Sequence, residues 1–203
     1  AILFLALAVP AEAGIAEPRV FLTLQGADAV SIVGGTPWPA GEHMTYIAST
    51  PQGETVLATS TGEDRVYVYD GETGELQGTI PVGDEPKGIK VDPAGQRAFV
   101  ANEGAGTLSV IDLERMRPTR TLPVGEMPHN IIFSPDGKTL YVTLQGGDAI
   151  AVLDPVKLKK KREFPVPKPH NIDISPDGKT LFVSSLSEQA LVFMESATGK
   201  KTG

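Results

Sequence analysis

The chain has no cysteine, one tryptophan and three histidines in 203 residues. The first absence removes disulfides, thiolate metal centres and cysteine nucleophiles. Without a C-x-x-C-H stretch, covalent attachment of a c-type haem is excluded as well. G-x-S-x-G, H-E-x-x-H and Walker-type loops are missing, so no ready-made hydrolase, zinc-protease or nucleotide motif is present. Net positive charge is also lacking: the formal charge is −7, which argues against capture of phosphate backbones and makes nucleic acid a disfavoured partner. No long segment has helical period, which points away from helical and mixed folds.

The chain has instead a phrase written several times. PHNIIFSPDGKTLYVT at 128–143 returns as PHNIDISPDGKTLFVS at 169–184, with earlier copies PKGIKVDPAGQRAFVA from Pro86 and MTYIASTPQGETVLAT from Met44. The copies begin at 44, 86, 128 and 169, a period of 41 to 42 residues. A second marker keeps the same step: DRVYVYD, GTLSVID, DAIAVLD and QALVFME start at 64, 106, 148 and 189. A partial copy opens the chain, where FLTLQGADAVSIV from Phe21 matches YVTLQGGDAIAVL from Tyr141.

Within each unit, short alternating runs change to turn residues about every ten positions, which predicts four antiparallel strands. In the unit starting at 128 these are His129–Ser134, Thr139–Leu144, Ala149–Asp154 and Lys161–Val166. Ser-Pro-Asp-Gly, at 134–137 and 175–178, is turn chemistry: Pro presets φ, Asp bonds local backbone, Gly takes positive φ. Asp136 and Asp177 are therefore read as turn residues and not as catalytic carboxylates. Four-stranded units of this length define an all-β fold, a β-propeller whose blades bury their faces against one another. The units are 20–43, 44–85, 86–127, 128–168 and 169–203, about four and a half blades, the first beginning at its second strand. A seven-bladed ring of which this is a part is the expectation; a compact ring closed by the N-terminal strands is the alternative.

The PDGKTLYVT and PDGKTLFVS phrases, each followed by a V-x-V-I-D-like strand, resemble the YVTN family of β-propeller repeats, including YncE-like proteins. The resemblance runs from Arg19 to the C-terminus. Phe99-Val100-Ala101-Asn102 keeps the family's final Asn and Tyr141-Val142-Thr143-Leu144 does not. Such repeats are similar to the d1-haem propeller of cytochrome cd1 nitrite reductases, which implies a haem or metal as a conceivable cofactor and a redox role as the alternative to binding. The family's link to DNA binding is set against the acidic charge balance.

His129 and His170 share one phase of adjacent repeats, with Thr45 and Lys87 in that phase elsewhere. This position falls near the mouth of a propeller's central channel. Two imidazoles there are candidate metal ligands, or one an axial haem ligand; the other reading is a local loop solution with each ring hydrogen-bonded. Thr45, Lys87, His129, Asn130, His170 and Asn171 are the candidate ligand-binding residues, and no catalytic residue is assigned. If the chain is an enzyme, the expected class is oxidoreductase. Elsewhere, His43 reads as a solvated loop residue and Trp38 as an apolar plug over the first blade. KLKKKR at 157–162 reads as an outer strand defended by charge, with docking of an anionic partner as the alternative.

AILFLALAVPAEAG at 1–14 is too short to span a bilayer and ends in Ala11-Glu12-Ala13, as secretory signals do. It is read as a signal-peptide remnant, with a buried N-terminal strand or helix as the alternative. The expectation is an exported protein of the periplasm or cell surface. It would lack a transmembrane segment, be monomeric at full length, and bind a protein or small polar ligand.

Overall fold

The computed structural model describes residues 19–24 and 26–203, together with the backbone of Leu5–Ala8. The fold is all-β, as expected. Five antiparallel sheets follow one another along the chain. The first contains β1 (Leu5–Ala8), β2 (Arg19–Leu24), β3 (Ala29–Ile32) and β4 (Trp38–Pro39). The second contains β5 (Met44–Ser49), β6 (Thr55–Ser60), β7 (Arg65–Asp70) and β8 (Leu76–Pro81). β9 (Pro86–Val91), β10 (Arg97–Asn102), β11 (Thr107–Asp112) and β12 (Arg117–Pro123) form the third. The fourth is β13 (Pro128–Phe133), β14 (Leu140–Leu144), β15 (Ala149–Asp154) and β16 (Lys159–Pro165). The fifth has three strands, β17 (Pro169–Ile174), β18 (Thr180–Ser185) and β19 (Ala190–Glu195), and Lys201 forms a bridge to Met194 where a fourth would run.

The first sheet differs from the sequence expectation, which began it at its second strand. Ala8 pairs with Arg19 and Leu5 with Leu22, so β1 lies beside β2 within the segment read as a signal remnant. The rest of that segment, 1–4 and 9–14, lies outside the described residues.

Among the described residues no blade has a core of its own. Each apolar cluster straddles two blades: Leu57, Val66 and Val68 pack with Ile89, Val100 and Ile111, and Phe99 and Leu108 pack with Ile131, Leu140 and Val142. Burial of these faces drives the stacking, because a lone four-stranded sheet would leave one of them wet. Trp38 plugs the first junction, its ring 5.8 Å from Phe21 and 5.5 Å from Tyr69.

The repeated turn locks the blades at their rim. Ser134 Oγ donates to Asp136 at 2.7 Å, and Lys138 N donates to the same oxygen at 3.1 Å. Ser175 and Asp177 repeat this at 2.6 Å. Gly137 and Gly178 take φ of 68° and 72°. A Cβ at Gly137 would lie 3.1 Å from Pro93, and one at Gly178 3.1 Å from Pro135, so each turn nests on the proline of the preceding one. The Asp side chains are thus mechanical, and their hydrogen bonds hold both carboxyls below the usual range. The lysine-rich run is the exposed outermost strand β16, with Lys160 paired to Glu163 and Lys161 to Asp154. Among the described residues no helix is long and apolar enough to cross a membrane.

Candidate functional site

The innermost strands β5, β9, β13 and β17 share an irregularity. Pairing with the next strand slips between Met44 and Ile47, between Pro128 and Ile131, and between Pro169 and Ile172. In β9 the same slip falls opposite Val100 and Asn102. A bulge releases side chains from the ladder and re-aims them. The released positions are Thr45-Tyr46, Lys87-Gly88, His129-Asn130 and His170-Asn171, which include all six candidate residues.

Two further devices fix these bulges. Threonine hydroxyls on second strands reach the next blade's bulge: Thr23 donates to the Thr45 carbonyl at 2.8 Å, Thr59 to that of Lys87 at 2.9 Å and Thr143 to that of His170 at 2.9 Å. Aspartates in the preceding unit then hold the loop entering the strand. Asp28, Asp64 and Asp148 accept from the backbone N–H of His43, Glu85 and Lys168 at 2.8–2.9 Å, each donor residue having positive φ. His43 itself is exposed, in keeping with its solvated reading.

At the centre is His129, 8% exposed. Its Nδ1 lies 2.5 Å from Glu103 Oε2 and its Nε2 3.0 Å from the Tyr46 hydroxyl. The same hydroxyl lies 3.1 Å from Asn171 Oδ1, which also accepts from Asn130 Nδ2 at 2.9 Å. A phenol has one proton, so Tyr46 donates either to Asn171 or to His129. His170 packs against His129 with ring centroids 4.2 Å apart and the ring planes tilted by 37°. Among the described residues its ring nitrogens make no hydrogen bond.

Burial acts to raise the Glu103 carboxyl, but the His129 hydrogen bond and the charges of His129, Lys87 and His170 outweigh it and hold it below its ordinary value. Burial lowers the His170 imidazole, helped by the charges of His129 and Lys87 against the opposing pull of Glu103. Burial and the Glu103 charge push the Tyr46 phenol well up, so it remains a neutral hydroxyl.

His129, Asn130, His170 and Asn171 therefore converge, with the Lys87 charge felt by both Glu103 and His170. Thr45 does not join them: its hydroxyl is taken up by Thr59 and Thr61, each at 3.0 Å, in the seam of its own blade. Tyr46 and Glu103 were missed by sequence reasoning. The signal for Tyr46 was its phase, since it occupies the position of Asn130 and Asn171 in its own repeat.

As a metal or haem site the cluster fits poorly. Both nitrogens of His129 are engaged, leaving His170 as the one imidazole with free lone-pair geometry. Among the described residues, no group of three or more His, Cys, Asp or Glu is placed to hold a metal ion.

Sheets stacked through shared cores, with a polar cluster where their innermost strands meet, define a β-propeller. The chain belongs to the family described as lactonase, 7-bladed beta-propeller, which it matches over residues 23–201. Hydrazine synthase from Kuenenia stuttgartiensis is a structural neighbour, with 30% identity, a TM-score of 0.73, and coverage of 77% of this chain and 47% of that one. Another is a putative 6-phosphogluconolactonase from Bacteroides fragilis, with 21% identity, a TM-score of 0.74, and coverage of 91% of this chain and 65% of that one. The chain thus spans between about half and two thirds of the length of these neighbours. Comparison with curated proteins finds no match.

Proposed function

We propose that the chain is an exported, YVTN-type member of this family, acting as a monomeric binding module in the periplasm or at the cell surface. It takes a small polar ligand at the channel mouth. One observation carries this reading: among the described residues the half-buried His170 ring has no hydrogen bond, yet it sits on a network in which His129, Tyr46, Glu103, Asn130 and Asn171 are all committed to one another. An imidazole on so fixed a platform is preorganised for a ligand that supplies the missing partner. The export part of the reading rests on the 1–14 segment alone.

The test is native mass spectrometry of the full chain after equilibration with a small-molecule extract of the producing cells. A stoichiometric adduct, lost in His170→Ala and Asn171→Ala, supports a binding module. No adduct at any extract concentration overturns it.

A second reading is lactone hydrolysis, favoured by the Glu103–His129 contact, in which a carboxylate orients an imidazole as it does in general-base catalysis. Release of gluconate from glucono-δ-lactone above the spontaneous rate, abolished in Glu103→Gln, would replace the binding reading. The binding reading expects no acceleration.

A further inference from the structure

Tyr46 and Asn130 also border a cleft of about 140 Å³ among the inner strands. Its walls are four isoleucines, one from each inner strand: Ile47, Ile89, Ile132 and Ile172. Two charges face into it, Lys90 from β9 and Asp173 from β17. They influence one another electrostatically but do not form an ion pair, and among the described residues the Lys90 ammonium has no hydrogen-bond partner. Asp173 uses one carboxylate oxygen to accept from Ile174 N at 2.8 Å and is exposed on the cleft side of its strand.

This arrangement is costly without a ligand. Lys90 is only partly exposed and has no ion-pair partner among the described residues, so its ammonium gives up hydration that Asp173 offsets only in part. Burial accordingly lowers the Lys90 ammonium below its usual range, with Asp173 opposing the effect only in part. The repeat does not impose it: the equivalent positions are Ala48 and Ile132 in the neighbouring blades. A plain carboxylate would satisfy Lys90 but would face Asp173, and a plain amine would do the reverse. A ligand with both charged groups bonded to one carbon and a short aliphatic group satisfies all three features. The volume excludes anything of drug size, whose pockets start at about 300 Å³.

We propose that the cleft binds a small aliphatic α-amino acid as its zwitterion. Its carboxylate lies on Lys90, its ammonium on Asp173 and its side chain against the isoleucines. This site shares Tyr46 and Asn130 with the His170 cluster but is lined by neither His170 nor Asn171, and it goes beyond the ligand inferred above.

The test is titration of the full chain with leucine, followed by calorimetry and by NMR of the ¹³C-dimethylated lysines, with Lys90 assigned by its absence in Lys90→Arg. Leucine is expected to bind, to shift the Lys90 signal saturably, and to lose about tenfold or more in affinity in Lys90→Met and in Asp173→Asn. Isovalerate and isoamylamine, each lacking one charge, are expected to bind at least about tenfold more weakly. Leucine leaving the Lys90 signal unmoved overturns the proposal, as does isovalerate binding equally well. The wild-type NMR reading needs only the conservative Lys90→Arg variant for assignment and does not depend on Lys90→Met or Asp173→Asn folding. Failure of the extract experiment overturns the His170 reading alone, and the leucine titration decides the cleft.

Discussion

Glu103 on blade three and His129 on blade four meet at 2.5 Å, with only 13% and 10% of their side chains exposed. The contact bridges two blades at the point where Ala101 replaces the threonine that staples the other junctions, so the polar pair takes over the linking role there. Removing one member of a buried pair leaves the other uncompensated, at a cost of roughly 3 kcal/mol. Glu103→Ala is expected to lower stability on that order, and a double-mutant cycle with His129→Ala to give a coupling of about 1 kcal/mol or more. Denaturant unfolding measures both; zero coupling would remove the pair from the account.

Acid should loosen the site in two separate windows. The folded-state value of His170 lies below the ordinary 6.5, so on acidification the unfolded chain takes up this proton first. Stability therefore falls as the pH drops below about 6.5 and levels off once the folded imidazole is also protonated. Glu103 is likewise depressed, from 4.5, so its contribution is present above that value and is lost as the pH falls towards the lower folded one. Melts between pH 3 and 8 should show both losses. His170→Asn should flatten the upper window and, by removing one of the charges that depress Glu103, also weaken the lower one.

Gly137 and Gly178 hold the rim turns. Alanine at either place must adopt a left-handed conformation, at about 1–2 kcal/mol, while pressing on the proline of the preceding turn. Gly137→Ala is expected to lower stability by that amount and to leave the His170 ring signals unchanged, since the turn lies at the other end of the inner strand. A shift in those signals would show that the rim and the mouth are coupled.

The propeller was legible because its determinants are local. Ser-Pro-Asp-Gly, the 41- to 42-residue step and the alternating strands each lie within a few positions of one another, and the strands expected for the fourth blade fall within two residues of those observed. The site was legible only by phase. His129, Asn130, His170 and Asn171 stood out because the repeat writes them twice. Tyr46 reaches His129 across 83 positions and Asn171 across 125, contacts that depend on how blades converge and that no periodicity within one repeat encodes. Thr45 was drawn in by the same phase argument, but its hydroxyl closes on Thr59 and Thr61 and leaves the mouth to its neighbour.

Tyr46 is the sharpest test of whether this convergence matters. Phenylalanine keeps the ring, whose edge meets His129 at a centroid distance of 5.7 Å, and removes only the hydroxyl that joins blade two to blades four and five. Two partners then lose a contact. Asn171 retains its bond from Asn130, whereas His129 Nε2 is left unpaired in a buried setting. Tyr46→Phe is therefore expected to cost about 1–2 kcal/mol in stability. Because Asn171 and His170 share one bulge, their side-chain signals should broaden or shift together. Chemical denaturation and side-chain NMR of the single variant check both expectations. A full loss of stability without movement at residues 170 and 171 would make Tyr46 a packing residue, and the mouth would then be held by the Glu103–His129 contact, the Asn130–Asn171 bond and the Thr143 staple.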